Sequence, residues 1–184
     1  MRNVPKSRKG TELEYTTERI ARAAKLAEER HRGQVRKGPE ALPYVTHCEE
    51  VARLVETHGG DEDAIAAAWL HDIVEDTDTT LEEVEALFGR SVADIVAEVT
   101  DDPALDKQAA RAEQVRSAPT KSPSAALVKA ADQTSNMLSI ITTPPYWSRQ
   151  RAYDYIAKAR AVVAGLWAPM SLKEKFAIAA ATAE

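Results

Sequence analysis

Apolar side chains return every third or fourth position along almost the whole of this chain, and no stretch alternates with period two for long enough to make a strand. Such a chain can bury its apolar surface only by packing helix against helix, so the spacing predicts an all-α, single-domain bundle of about eight to nine helices. At 184 residues and 44% hydrophobic content the core needs no disulfide or metal staple, so any metal would serve chemistry.

The caps divide the pattern. Thr17 or Glu18 opens a first helix that Gly33 closes, and the loop QVRKGPEALPYV leads to a second, opened at His47 and stopped by Gly59-Gly60. Asp61 caps a third helix predicted to run on through AWLHDIVEDT. Thr80 with Glu83 forms a capping box for a fourth, and Ser91 starts a fifth. Residues 104 to 117 are weakly apolar and predict a mobile surface helix, and whether 104 to 121 act as a lid is left open. Ser122-Pro123 opens a seventh helix reaching about Ile141, Ser148 an eighth, and Ser171 with Glu174 boxes a short last one. Residues 1–15, basic and without an apolar segment, read as a flexible arm, which leaves 16–184 as the folded domain.

The third helix carries an unusual load. At about 100° per residue, His71, Asp72, Glu75 and Asp76 share one face, and Ala66, Leu70, Ile73 and Val74 fall opposite. One side packs while the other gathers three carboxylates and an imidazole, which repel unless solvated or neutralised by a cation. A solvated acidic face is the plain alternative. Against it stand His47 at the start of the second helix and Asp132 on the seventh, the latter set opposite Leu127, Ala131, Thr134 and Leu138 with Asn136 beside it. His47, His71, Asp72 and Asp132 make a mixed nitrogen and oxygen set that suits one divalent first-row ion, and Glu75 and Asp76 lie one turn beyond, placed to orient or deprotonate a water.

Charge and cysteine content bound the partners. A net charge of −5 argues against a broad nucleic-acid surface, although a few Arg and Lys side chains in one cleft would hold a small anion. Arg36 and Lys37, between Gly33 and His47, are placed for that. Lys129, one turn before Asp132, can pair with it or reach a phosphate, and Trp147 in the PPYW turn is a candidate cleft wall. His31 and His58 sit near helix C-termini, where a structural role suffices. No apolar run approaches the roughly 20 residues of a membrane span, and the single cysteine, Cys48, fits a reducing compartment, hence the cytoplasm. The oligomeric state is left open, a homodimer being one option.

His47, His71-Asp72 and Asp132, in that order, resemble the metal-binding pattern of the HD-domain phosphohydrolases. HRGQVRKGPEALPYVTH, LHDIVEDTDTTLEEVEALFG, EVTDD and LVKAAD narrow the likeness to the hydrolase domain of the RelA/SpoT family, most closely its stand-alone small alarmone hydrolases of the metazoan SpoT homologue type, over roughly residues 16 to 168. The resemblance implies an all-helical hydrolase without a synthetase domain. It implies one Mn²⁺ per chain and removal of the 3′-diphosphate from guanosine tetra- or pentaphosphate, giving GDP or GTP and pyrophosphate. By position it assigns His47, His71, Asp72 and Asp132 to the metal and Glu75 and Asp76 to activating water. Arg36, Lys37, Lys107, Asn136, Arg151 and Tyr155 fall to the nucleotide. Where the family carries a basic residue, a leucine and Tyr or His after the last metal-binding Asp, this chain has Gln133, Thr134 and Ser135. If those positions face substrate, contacts weaken by about 1 to 3 kcal/mol. Adenosine alarmones, a phosphate monoester such as NADPH, or nucleotide binding without turnover then stay open.

Overall fold

The computed structural model describes residues 11–184, with side chains from residue 18 onward. Its helices are α1 (Thr11–Arg30), α2 (Val45–Thr57), α3 (Glu62–Leu70), α4 (Ile73–Asp76), α5 (Leu81–Phe88), α6 (Arg90–Val99), α7 (Lys107–Ser117), α8 (Pro123–Thr142), α9 (Arg149–Gly165) and α10 (Met170–Thr182). Among the described residues the only extended pairing is a single antiparallel bridge, Val35 with Pro43, in the loop before α2. None of these helices is long and apolar enough to cross a membrane.

Besides α2 and α6, which open at Val45 and Arg90 rather than at His47 and Ser91, three boundaries differ from the sequence reading. Helix α1 begins at Thr11 rather than at Thr17, inside the expected arm, whose residues 1–10 lie outside the described part. Helix α10 starts at Met170 behind Pro169, and Ser171 makes no cap. The third difference bears on function, for the helix expected to run through AWLHDIVEDT stops at Leu70 and resumes at Ile73 as the single turn α4. Its cause is local. The His71 Nδ1 donates to the Ala68 carbonyl at 2.8 Å, the acceptor that an unbroken helix would offer to the amide of Asp72. Asp72 takes φ −102°, ψ 0°, in the bridge region, and the chain turns there.

The core lies where α2, α3, α6 and α8 meet. Helix α8 runs through the middle, packed by α2, α3, α6, α9 and α10, and is buried from Ala125 to Ser135 on every side. A central helix is apolar all round because no face meets water, which is why Ala126, Val128, Ala130 and Ala131 follow one another in its sequence. Asp132 is therefore not on a solvent side of an amphipathic helix but inside the protein. Small side chains in α3, Ala64, Ala66, Ala67 and Ala68, let it approach its neighbours closely, and Leu70 and Ile73 on either side of the break are fully buried. Asp61 caps α3 by accepting from the Ala64 amide at 2.9 Å. Thr80 caps α5 through the Glu83 amide, while the Glu83 carboxylate turns to Arg30 at 2.5 Å instead of closing the box.

The loop between α1 and α2 is pinned over the C-terminal end of α8. Gly38, at φ +146°, lies so near that a Cβ there would stand 2.7 Å from the Thr143 carbonyl oxygen. Backbone bonds from Arg36 to Leu42 (2.8 Å) and from Tyr44 to Gln34 (2.9 Å) close the loop on itself.

Leu70 anchors the break and Asp61 only the helix start, so their losses should differ. Leu70→Ala is expected to cost about 2–5 kcal/mol and Asp61→Ala about 1 kcal/mol in urea denaturation.

Candidate metal centre and nucleotide cleft

His47 comes from the first turn of α2, His71 and Asp72 from the break after α3, and Asp132 from the middle of α8. Both imidazoles and Asp132 are almost wholly buried. The ligating atoms of His47, His71 and Asp132 all lie within 4.8 Å of one another. His47 Nε2 is 3.1 Å from His71 Nε2 and 3.4 Å from Asp132 Oδ1, and His71 Nε2 is 3.9 Å from that oxygen. Asp72 stands at the rim, its Oδ2 3.0 Å from His71 Nε2 and 3.6 Å from His47 Nε2.

Hydrogen bonding decides what these atoms present. His71 Nδ1 faces a carbonyl oxygen, so it must carry the proton, and its Nε2 then offers a lone pair. Ser135 Oγ gives its own hydrogen to Glu50 at 2.7 Å, so at 2.9 Å it can only accept from His47 Nδ1, and His47 Nε2 likewise offers a lone pair. Two lone pairs and two carboxylates thus converge with no donor among them. Such a cluster needs a positive charge at its centre. Two donor atoms each about 2.1 Å from a shared ion lie about 3.0 Å apart at right angles and about 4.2 Å apart when opposite. The separations among His47, His71 and Asp132, and those of Asp72 Oδ2 from the two imidazoles, fall in that window, and two carboxylates balance a dication.

When no cation is present a proton takes its place. Burial opposes a charge on His47, but Asp132 and Asp72 outweigh it and lift the imidazole to about 9; His71 is raised in the same way. Burial also works against Asp132 and Asp72 as anions, yet Lys129 and the two imidazoles hold Asp132, and the two imidazoles Asp72, below the usual carboxylate range. Lys129, itself buried, sits 3.5 Å from Asp132 Oδ2, so of its two expected roles it takes the pairing one. Asn136 Nδ2 and Gln133 Nε2 donate to the two oxygens of Asp132 at 2.6 and 2.9 Å and fix its plane. Tyr44 donates to Asp72 Oδ2 at 2.5 Å, and burial beside Asp72 keeps its phenol protonated.

Glu75 and Asp76 follow Asp72 on α4, and both are exposed. Partial withdrawal from water pushes the Glu75 carboxyl up to about 7, against the Asp101 amide that donates to its Oε1 at 2.6 Å and the nearby Lys129. Asp76 is raised by the same withdrawal and by Asp72. Gln34 holds the Asp76 carbonyl at 2.8 Å and His31 at 2.7 Å. His31 therefore forms part of the support behind the site.

A cleft of about 140 Å³ runs from His47 and Asn136 between the α1–α2 loop and α9, walled by Val35, Ile140, Pro145, Trp147 and Tyr155 with Arg36 and Lys37 at its edge. It adjoins a second of about 330 Å³, where Lys37, Arg111 and Arg151 gather with Trp147 and Tyr155. Together they reach the size of an ordinary small-molecule site, about 300–1,000 Å³. The Trp147 and Tyr155 rings lie 5.1 Å apart, and the Arg151 guanidinium covers Trp147 at 4.8 Å.

The structure brings together Lys37, Asn136, Arg151 and Tyr155 from the sequence-read nucleotide set. Arg36 reaches the cleft but is paired with Glu50 at 3.1 Å. Lys107 stands exposed at the start of α7, outside both linings; one turn further on Arg111 faces the second. Gln133, Thr134 and Ser135 are buried and none of them lines either cleft. Sequence reasoning missed Tyr44, Glu50 and Arg111. Tyr44 was in view three residues before His47, whereas pairing Glu50 with Ser135 across 85 residues requires the fold.

Residues 23–170 match the HD-domain family, and the chain belongs to it. It is 45% identical over 158 residues to the guanosine-3′,5′-bis(diphosphate) 3′-pyrophosphohydrolase MESH1 of Xenopus tropicalis, covering 84% of this chain and 88% of that one. It is 46% identical over 150 residues to the human MESH1, covering 80% and 84%. A solved structure of a metazoan orthologue of SpoT, described as hydrolysing ppGpp and acting in starvation responses, superposes with a TM-score of 0.84 at 36% identity, covering 88% of this chain and 93% of the other.

Tyr44→Phe removes the donor that orients Asp72 while keeping the ring against His31 and His47. It is expected to weaken binding of a divalent first-row ion by about 10–100-fold, read by calorimetric titration, with little change in cation-free stability.

Proposed function

We propose that this protein is a Mn²⁺-dependent pyrophosphohydrolase that removes the 3′-diphosphate of guanosine tetra- and pentaphosphate, yielding GDP or GTP and pyrophosphate. The observation that carries the reading is the four-acceptor cluster of His47, His71, Asp72 and Asp132 opening into an aromatic, basic cleft. The MESH1 relatives, named for this reaction, support it over most of their length.

A purine fits flat against Trp147 and Tyr155, and Lys37, Arg111 and Arg151 supply positive charge for the phosphates. His47 and Asn136 line one end of the first cleft, and on this reading the 3′-diphosphate of a bound nucleotide lies there. His47, His71, Asp72 and Asp132 would hold a divalent cation, which would supply Lewis-acid polarisation of phosphoryl oxygen and a more acidic water. Glu75, with its carboxyl near 7, is poised to take the proton of the attacking water, and Asp76 lies beside it to orient that water. Lys129 offsets the excess negative charge behind Asp132. Substitution at 133–135 was the motive for other substrates, and the burial of all three removes it. With one cysteine, buried, and a nucleotide substrate, the reading places the enzyme in the cytoplasm as one domain over residues 16–184.

With Mn²⁺, purified protein is expected to release pyrophosphate from guanosine tetraphosphate; activity no higher than that of Asp72→Asn rejects the proposal. Because Glu75 acts as a base only when ionised, the rate should rise about tenfold per pH unit below about 7 and level off above. Glu75→Gln should lose about 10²–10⁴-fold in rate. Its folded carboxyl is raised, so wild-type stability falls as pH climbs from the unfolded value through about 7. Glu75→Gln should therefore melt higher than wild type at pH 8 and close to it at pH 4.

A further inference from the structure

His47 is steered from outside the cluster by a chain of three groups, Ser135, Glu50 and Arg36. Ser135 Oγ lies 2.9 Å from His47 Nδ1 and gives its hydrogen to Glu50 Oε2 at 2.7 Å. Arg36 Nη1 donates to the same Glu50 oxygen at 3.1 Å, and its Nη2 lies 3.4 Å from Ser135 Oγ. Every group has one consistent role. Glu50 is an acceptor, so the serine hydroxyl must point at it; the hydroxyl oxygen is then left to accept, and the imidazole can satisfy it only from Nδ1. Arg36, whose side chain is 13% exposed, supplies the counter-charge that holds the half-exposed Glu50 in this rotamer.

We propose that Glu50 and Ser135 are positioning residues for His47: acting as one unit braced by Arg36, they hold its proton on Nδ1 and aim the Nε2 lone pair into the cation site. The inference rests on the cation-binding reading of that site. The opposite tautomer would set a lone pair of His47 Nδ1 against the Ser135 oxygen, whose hydrogen already goes to Glu50, and an N–H against the ion. Arg36 acts from behind the ligand as a brace, and charge toward the nucleotide comes from its neighbour Lys37, which lines both clefts. Ser135, at the position where the family carries a ring, thus answers Glu50 across the helix pair α2–α8.

Mn²⁺ titration of the purified full chain, followed by electron paramagnetic resonance of the free ion, tests this without any nucleotide. Ser135→Ala and Glu50→Ala should each weaken Mn²⁺ binding by about 10–100-fold. Ser135→Thr, which keeps the hydroxyl, should stay within about threefold of wild type. The double variant should bind no more weakly than the worse single one, because breaking either link disables the unit. Cation-free melting and circular dichroism identify any variant that fails to fold, and the Thr variant then decides. Wild-type affinity in Ser135→Ala, or fully additive losses in the double variant, overturns the proposal while leaving the hydrolase reading intact. Tight Mn²⁺ binding without hydrolysis of guanosine tetraphosphate sinks that reading and leaves the variant affinities to decide this one. A wild type that binds no Mn²⁺ overturns both.

Discussion

Two imidazole nitrogens 3.1 Å apart, each stripped of its proton by a hydrogen bond on the far side of the ring, cannot attract one another. Nor can the carboxylates of Asp72 and Asp132 that close on them. Such a meeting of acceptors inside a protein is unfavourable until a cation or protons occupy it, and the rest of the chain is organised around holding it together. The core supplies the rigidity. Helix α8 is packed on all sides, so Asp132 cannot move away from the imidazoles, and the buried Leu70 and Ile73 clamp the chain on either side of His71 and Asp72. Lys129 behind Asp132 and Tyr44 before Asp72 then share out the negative charge.

The break between α3 and α4 serves the same end. A straight helix would put His71 and Asp72 about 100° apart around its axis, whereas the turn at Asp72 brings Nε2 and Oδ2 within 3.0 Å. Helix α4 then carries the exposed Glu75 and Asp76, and partial withdrawal from water raises the Glu75 carboxyl to about 7.

Much of this was legible in the sequence because helical periodicity and capping are local. Asp61, Thr80, Ser122 and Ser148 each accept the amide hydrogen bond that their position implied. The meeting of His47, His71 and Asp132, with Asp72 beside them, was legible as well, since these are few polar groups among many apolar neighbours. What failed depended on side-chain chemistry acting on the backbone or on distant pairing. Periodicity took His71 as a helical residue, since nothing in the spacing reveals that its imidazole captures the Ala68 carbonyl. Setting Asp132 opposite Leu127, Ala131, Thr134 and Leu138 predicts an amphipathic α8, but the polar side chains there point inward: Gln133 and Asn136 donate to Asp132, Thr134 to the Ala130 carbonyl and Ser135 to Glu50, with Gln133 Oε1 left unpartnered. Lys107 and Arg111 share α7, and only the packing of that helix on α9 settles which of them faces the cleft.

Anomalous diffraction at the manganese edge from crystals grown with Mn²⁺ tests the central claim most directly. A single strong peak per chain, about 2.0–2.2 Å from His47 Nε2, His71 Nε2 and one oxygen each of Asp72 and Asp132, is the predicted result. A map with no peak among these four residues, or with the ion seated elsewhere on the protein, would contradict it.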